Sequence, residues 1–580
     1  MKVHWLRRLG LHVFALLAIT NFGCSGSQPD ASANSPDKTV GRPNRLVATL
    51  RSDLRTFNRL AEAQTAEEVY ARLTHATLLR VNRTTGALEP RLATSWTSSA
   101  DGLSWTFILR DGVAFSDGHP FTSADVVFSA RAAYDPRVGS STGDSLLING
   151  KPMTVIAPDA KTAVVTFPSS YGPGIMLLDS LPIVPEHKLK AALDAGRFRE
   201  AWNLSTPLSE IVGLGPFIVK EHVPAQRIVF ARNPRFWMKD EKGAALPYLD
   251  EIEVQIVPDQ NADAVRLQAG DTDVSSGAIR ADDIAAFRAL ADQGKVKIVK
   301  AGVEIAPDGL WFNLVRGAAP ANGRAWLQSD ELRQAISLAV DRQALANKVF
   351  LGAAVPIAGP ITPGHGEWVA PGVADPVRNP DEARALLRKI GLSDRNGDGL
   401  VDDAAGKTAR FEVITIKGHT ARERSMSVVQ EQLRAIGLQM DVRNVPMGAF
   451  LEAWGKAQYD AIYFAALADS VDPSRNPEFW LSSGQFHFWN PGQPKPATAW
   501  EAQVDSLMAK IAAERDPAAR HKMFAEVQRL FHAHQPVVYF VAPEVMLATS
   551  ARLHGVTASV LPPQILWNAE RLSVKAAEAR

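Results

Sequence analysis

Along residues 86–127 apolar and polar positions alternate and then break in a readable way. Leu103, Trp105, Phe107 and Leu109 take every second place, with Ser104, Thr106, Ile108 and Arg110 between them, which is the period of a strand with one buried face. Asp101-Gly102 leads into the run, and Asp111-Gly112 and Asp117-Gly118 follow it as turns, since glycine tolerates positive φ and aspartate bonds its own backbone. Thr122 and Asp125, three apart, predict a capping box and therefore a helix start.

The same reading extends to the rest of the chain. Strands are predicted at residues 46–50 and 162–167, and a hairpin at 217–220 and 228–232. A helix over 65–79 turns Val69, Leu73 and Leu78 inward. Ile252, Val254 and Ile256 alternate, residues 261–269 read as a helix ended by Gly270, and Asp273-Val274 begins another extended piece, so the unit is βαβ with a right-handed crossover. Leu332, Ala335, Ile336, Ala339 and Val340 share one helix face behind Asp330 as N-cap, and Asp341 caps a second helix that Gly352 stops. Strands at 411–416, 438–445 and 461–466 enclose a helix over 421–436. Open α/β sheets bind ligands beyond the carboxyl ends of strands, so residues 416–419 and 467–472 are the expected site.

Composition narrows the partners. With 580 residues and 46% apolar content the chain can bury several domain-sized cores. Its 63 Lys and Arg against 62 Asp and Glu leave no basic excess for phosphates, which argues against nucleic acid. The single cysteine, Cys24, excludes intrachain disulfides and cysteine-based zinc sites. It follows an apolar run at 9–19 behind Lys2, Arg7 and Arg8, the geometry of a secretory signal. Gly23-Cys24 resembles a lipoprotein cleavage site, with Asn21 where such sites usually carry Leu. Conventional cleavage and an uncleaved anchor are the alternatives. Residues 25–44 are rich in Ser, Pro, Asp and Asn and read as a disordered tether reaching on the order of 25 Å.

Several strings carry a family resemblance: P-x-L-A-x-S-W, D-G-L-x-W-x-F-x-L-R and F-S-D-G-x-P-F-T-x-x-D-V within 86–127, G-x-G-P-F and R-N-P-x-F-W within 213–237, and L-R-Q-A-I with A-V-D-R within 332–342. They resemble the bacterial extracellular solute-binding proteins of family 5, the oligopeptide-, dipeptide- and nickel-binding receptors of ABC importers. The resemblance implies an α/β, periplasmic-binding-protein-like type II fold, with two lobes in three subdomains around a ligand cleft and a two-strand hinge. Its implied limits are a signal peptide at 1–24, a tether at 25–44, lobe I at 45–301 with an extra subdomain at 72–205, lobe II at 302–540 and a return to lobe I at 541–575. The hinge crossings fall near Gly302 and Phe540. A monomeric, exported receptor is implied, held to the membrane by lipid on Cys24 and delivering a peptide or small molecule to importer permease subunits, with no cofactor and no covalent chemistry. Nickel chelates, sugars, opines and haem are alternative solutes within the family. An exported sensory protein or a hydrolase is the alternative outside it.

Candidate site residues follow. Ala468-Asp469-Ser470-Val471-Asp472-Pro473 resembles the A-D-x-x-[DE]-P string of peptide receptors, in which the first Asp anchors the ligand α-ammonium, so Asp469 takes that role by resemblance. Asp469 capping a turn or pairing with Arg475 is the structural alternative. Lys417, His419 or Arg422 could meet a ligand carboxylate. Trp311, within W-F-N, resembles a family strand near the ligand, while Trp454, Trp480 and Trp489 could line a pocket but individually read as core. Asp394, Asn396, Asp398 and Asp402 match part of a calcium loop with Gly399 at its sharp turn, but Ala405 stands where the bidentate acid belongs, so a plain solvated turn is the favoured reading, a weak calcium site the alternative, and no metal is expected. His532 and His534 read as surface histidines on a strand or turn. Gly139-x-Ser141-x-Gly143 has no strand before it and reads as a loop rather than a nucleophile elbow.

Overall fold

The structure is a computed structural model that describes residues 44–315, 324–373, 376–466 and 470–574. The first sheet runs Phe217–Val223, Arg227–Arg232, Glu251–Ile256 and Arg45–Leu50, the last two parallel. Val274 bridges Ala48 on one side and Thr549 on the other, which joins Val541–Ser550 and its antiparallel neighbour Val296–Val303 to the same layer. The βαβ unit is therefore present: helix Gln260–Gln268, capped by Asp259, crosses from Glu251–Ile256 to Val274 with Arg45–Leu50 between them.

A four-stranded antiparallel sheet, Ala93–Ser98, Ser104–Leu109, Thr162–Thr166 and Thr154–Asp159, is appended to this body. Its alternation is the one in the sequence: Phe107 and Leu109 are buried, and Ile108 between them is 44% exposed. The capping box forms as well. The Thr122 N–H donates to Asp125 at 2.9 Å and the Ala124 N–H to the Thr122 hydroxyl at 3.3 Å, opening helix Ser123–Tyr134.

The second sheet runs Gln439–Val445, Arg410–Ile416, Ala461–Ala465, Asp308–Phe312 and Val537–Tyr539, the first three parallel. Helices cover both faces. Leu310 and Phe312 share a core with Leu332 and Ile336 of helix Asp330–Ala339 and with Met426, Val429 and Leu433 of helix Thr420–Arg434. Trp311, pointing the other way because side chains alternate along a strand, joins Phe479, Phe488, Trp489 and Phe531. Two caps differ from expectation by one residue. Ser329, rather than Asp330, accepts the Leu332 N–H, which frees Asp330 to meet Arg333 and His534. Helix Arg342–Phe350 ends at Leu351, already left-handed, just before Gly352.

The chain passes from the first sheet to the second between Val303 and Asp308, and returns between Tyr539 and Val541. The outgoing passage is tied to the strand that follows the return, the Glu304 N–H donating to the Pro543 carbonyl at 2.9 Å, and the Ile357 N–H holds the return itself, donating to the Phe540 carbonyl at 3.1 Å. The bodies also meet along a seam. The Gly172 N–H reaches the Ala512 carbonyl at 2.6 Å, and the Ser170 hydroxyl reaches that of Ala513 at 2.6 Å, both at the C-terminal end of helix Ala499–Ala513. Arg424 and Asp282 pair across it at 2.7 Å.

Candidate functional site

Beside the passages, at the carboxyl end of strand Ala461–Ala465, lies a cavity with about 450 Å3 of space, partly open to solvent. Ile305, Ala306 and Pro307 of the outgoing passage, Pro360 and Ile361, and Tyr539 of the return wall it with apolar surface. Ala466, Ser470, Asp472, Asn476, Phe479 and Trp480 close the other side, with His365 contributing a ring. A mostly apolar wall with a few placed polar groups is the usual make-up of a small-molecule or peptide-side-chain site.

Hydrogen bonds fix the polar groups. Asp472 caps the turn Pro473–Arg475 through its Oδ1, which accepts the Ser474 N–H at 3.0 Å, while its Oδ2 accepts from Arg520 at 2.6 Å. Both side chains of that ion pair are about 95% buried, at 5% and 6% exposure, and Arg520 also lies over the Trp368 ring. The Trp480 indole N–H donates to the Pro473 carbonyl at 2.9 Å, locking the turn to the cavity wall. His365 accepts the Thr362 N–H on Nδ1 at 3.1 Å; burial pushes its pKa down to about 4 against the pull of Asp472, so the ring is neutral at pH 7. Ser470 accepts the Asp472 N–H at 3.1 Å and receives Arg475 at 3.4 Å. Residues 470–475 thus form a hydrogen-bonded polar rim on an apolar pocket.

The sequence-predicted residues distribute unevenly around this cavity. Asp469 lies outside the described residues, although Ala466 and Ser470 on either side of it line the wall. Trp311 does not line the cavity: it is fully buried, stacked near Trp489, and its indole donates to the Phe464 carbonyl at 2.7 Å. The central strand is covered on both faces, so neither face offers Trp311 to a ligand. Arg422 is committed elsewhere as well, donating to partly buried Asp308 at 2.8 Å with its guanidinium over Phe464. Burial raises the Asp308 pKa and Arg422 draws it part of the way back. Lys417 and His419 are exposed beyond strand Arg410–Ile416 and are not among the lining residues.

Other motifs take structural roles. Asp394 accepts the Gly397 and Gly399 N–H groups, Asp398 that of Leu400 and Asp402, through Oδ2, that of Arg395, so most of the calcium-like loop's carboxylates hold its own turns, with Oδ1 of Asp402 left without a partner among the described residues. Among the described residues no cluster of three or more His, Cys, Asp or Glu side chains is arranged to hold a metal ion. His532 and His534 sit in the last turn of helix Pro517–His534, not on a strand, and His534 pairs with Asp330 at 2.7 Å. Ser141 opens the short helix Ser141–Ser145. Cys24 lies outside the described residues. Among those described, no helix is long and apolar enough to cross a membrane.

Sequence reasoning missed Ile305, Pro307, Pro360, His365 and Tyr539 as cavity walls. Their signal was the proximity of Ile305 and Tyr539 to the two expected crossings; nothing in the local pattern marked His365.

Comparison with known proteins gives the following. The model for bacterial extracellular solute-binding proteins, family 5 Middle, matches residues 87–488. A probable ABC transporter-binding protein of Deinococcus radiodurans is 30% identical over 573 residues, 95% of each chain. The oligopeptide-binding protein AppA of Bacillus subtilis is 26% identical over 580 residues, 97% of each. The crystal structure of the ABC transporter substrate-binding protein CtaP from Listeria monocytogenes shares the fold, with a TM-score of 0.75 at 20% identity over 92% of this chain and 99% of that one.

Proposed function

The chain belongs to the bacterial extracellular solute-binding proteins of family 5, and from that premise we propose that it is the receptor of an ABC importer for peptides with a free amino terminus. The peptide lies between the lobes, its α-ammonium against Asp469 and one apolar side chain in the cavity of Ile305, Pro360, Phe479 and Trp480. The receptor then hands it to permease subunits as a monomer, without covalent chemistry, from a lipid anchor on Cys24. Lobe I comprises 45–301 and 541–575, with a subdomain at 72–205, and lobe II comprises 302–540.

The observation that carries this reading is the cavity itself. It sits where the passages between the two bodies meet the carboxyl end of strand Ala461–Ala465, and the two residues bounding 467–469, Ala466 and Ser470, are in its wall. A peptide receptor also fits the oligopeptide-binding relative that spans nearly the whole chain.

Calorimetry tests it with one peptide in free and N-acetylated form, on wild type and Asp469→Ala. Stranding a desolvated ammonium costs roughly 2 to 5 kcal/mol, or some 30- to 4,000-fold in affinity. Acetylation should therefore weaken wild type strongly and the variant little. Equal binding of both forms by wild type overturns the ammonium reading. Mass spectrometry of solute carried through native purification separates peptide from sugar or metal chelate.

A further inference from the structure

The first lobe contains a second cavity, with about 560 Å3 of space partly open to solvent, that no residue of the second sheet's body lines. Helix Thr65–Thr74, residues 75–80, Arg91, the segment 179–182 and Trp567 enclose it. Its walls are cationic. Arg59, Arg72 and Arg83 all pair with Glu68, Arg72 also with Asp179, Arg80 with Glu89 and Glu570, and Arg91 with Glu570. Among the described residues this network therefore sets five guanidiniums, each at least 85% buried, against four carboxylates.

The guanidiniums of the network exceed its carboxylates by one, and they are not equally compensated. Burial and then Arg72 lower Arg83 to about 10, and burial and then Arg80 lower Arg91 to about 10, whereas their carboxylate partners raise Arg72 and Arg80 against the effect of burial. The Nε of Arg59 and the Nε2 of His75 are buried without a hydrogen-bond partner, and both residues line the cavity. His75 is 4% exposed, and burial followed by Arg59 pushes its pKa down to about 3, so its ring is neutral. The Thr74 hydroxyl donates to the Tyr70 carbonyl at 2.8 Å and lies 2.8 Å from His75 Nδ1. That spends the hydroxyl proton, assigns the ring proton to Nδ1 and leaves Nε2 a lone pair that requires a donor. Thr77 and Ser180 add hydroxyls to the wall.

We propose that this cavity binds a small oxyanion that also bears a hydroxyl, as a phosphate or a hydroxycarboxylate does. Its charged oxygens meet Arg59 and the neighbouring guanidiniums, and its O–H meets His75 Nε2. The excess cation selects an anion, the lone pair selects a protonated oxygen, and the site works independently of the cleft between the lobes.

Anion affinities of dialysed protein, measured by calorimetry at ionic strength matched with chloride, test this. The probes are inorganic phosphate against sulfate, and malate against succinate. In at least one pair the member with the hydroxyl should bind saturably and about tenfold or more tighter, since the other member leaves the buried His75 Nε2 without a donor. Preference within the first pair assigns a phosphate group, and within the second a hydroxycarboxylate. His75→Leu should abolish the preference, and Arg59→Gln should weaken the preferred anion about tenfold. No saturable binding by any of the four probes, equal binding within both pairs in wild type, or a preference unchanged in His75→Leu overturns the proposal. The wild-type comparison decides even where a variant does not fold.

Discussion

At the scale of single residues, the groups most open to test are those whose charge state the fold has altered. His365 has its pKa lowered from 6.5 to about 4 by burial, so between those values an unfolded chain takes up a proton that the folded one refuses. Its contribution to stability is complete above pH 6.5 and lost as pH falls toward 4, on the order of 3 kcal/mol in full. His365→Gln keeps an acceptor for the Thr362 N–H in the manner of a capping box, and urea midpoints between pH 7 and 4 should fall less in the variant. Equal slopes would mean that the ring does not stay neutral. Arg422 makes the opposite point, since sequence reasoning offered it to a ligand carboxylate and the fold has paired it with partly buried Asp308. Removing one partner of a largely buried pair leaves an uncompensated charge, so Arg422→Ala should lower stability by about 3 kcal/mol while leaving peptide affinity unchanged. A selective loss of affinity without loss of stability would restore the ligand role.

Elements were legible where a local pattern decides them. The alternation around Phe107, the capping box of Thr122 and Asp125, and the βαβ unit through Val274 follow from periods of two and 3.6 and from side chains that bond neighbouring backbone. What the pattern does not contain is which layer covers a strand. Leu310, Trp311 and Phe312 are all fully buried because helices lie on both faces of their strand, and no property of those three residues distinguishes a covered face from one opening on a cleft. The cavity walls escaped for the same reason: Pro360, His365 and Tyr539 are brought together only by tertiary contact. The seam between the bodies is a further case, and Gly172 states its requirement. A Cβ there would stand 2.3 Å from the Glu514 carbonyl oxygen and 2.7 Å from that of Ile511, both backbone atoms that cannot swing away. Gly172→Ala should therefore speed ligand release, read by stopped-flow, with the thermal midpoint of the ligand-free protein nearly unchanged, because the obstructed contact joins the two bodies and belongs to the core of neither. A large fall in that midpoint would place the seam among the contacts that hold the fold together.

For the whole molecule, the proposed receptor has to be tethered at one end and free to open and close at the other. If lipid on Cys24 is the anchor, as proposed, Cys24→Ser should release the protein from the membrane fraction of labelled cells without altering its unfolding. Persistent membrane association would assign the anchor to the apolar run at 9–19. Closure follows from how the bodies are joined. Apart from the two passages near Gly302 and Phe540 and a small buried cluster of Ile284, Ala353 and Met546, the bodies meet in seam contacts such as Gly172 with Ala512 and the half-exposed pair of Arg424 and Asp282. Exposed ion pairs contribute little, typically 0 to about 1 kcal/mol, and a few hydrogen bonds at about 1 kcal/mol each add only modestly. Open and closed forms should then lie within a few kcal/mol of one another, and a ligand touching both bodies shifts the balance by its differential affinity for the closed one. Small-angle scattering should accordingly show a smaller radius of gyration with saturating peptide than without. Gly172→Ala should remain nearer the open value at the same occupancy, since the ligand must now also overcome the blocked seam. An unchanged radius in wild type with binding verified by calorimetry would mean that the two bodies are already locked, and that recognition proceeds without closure.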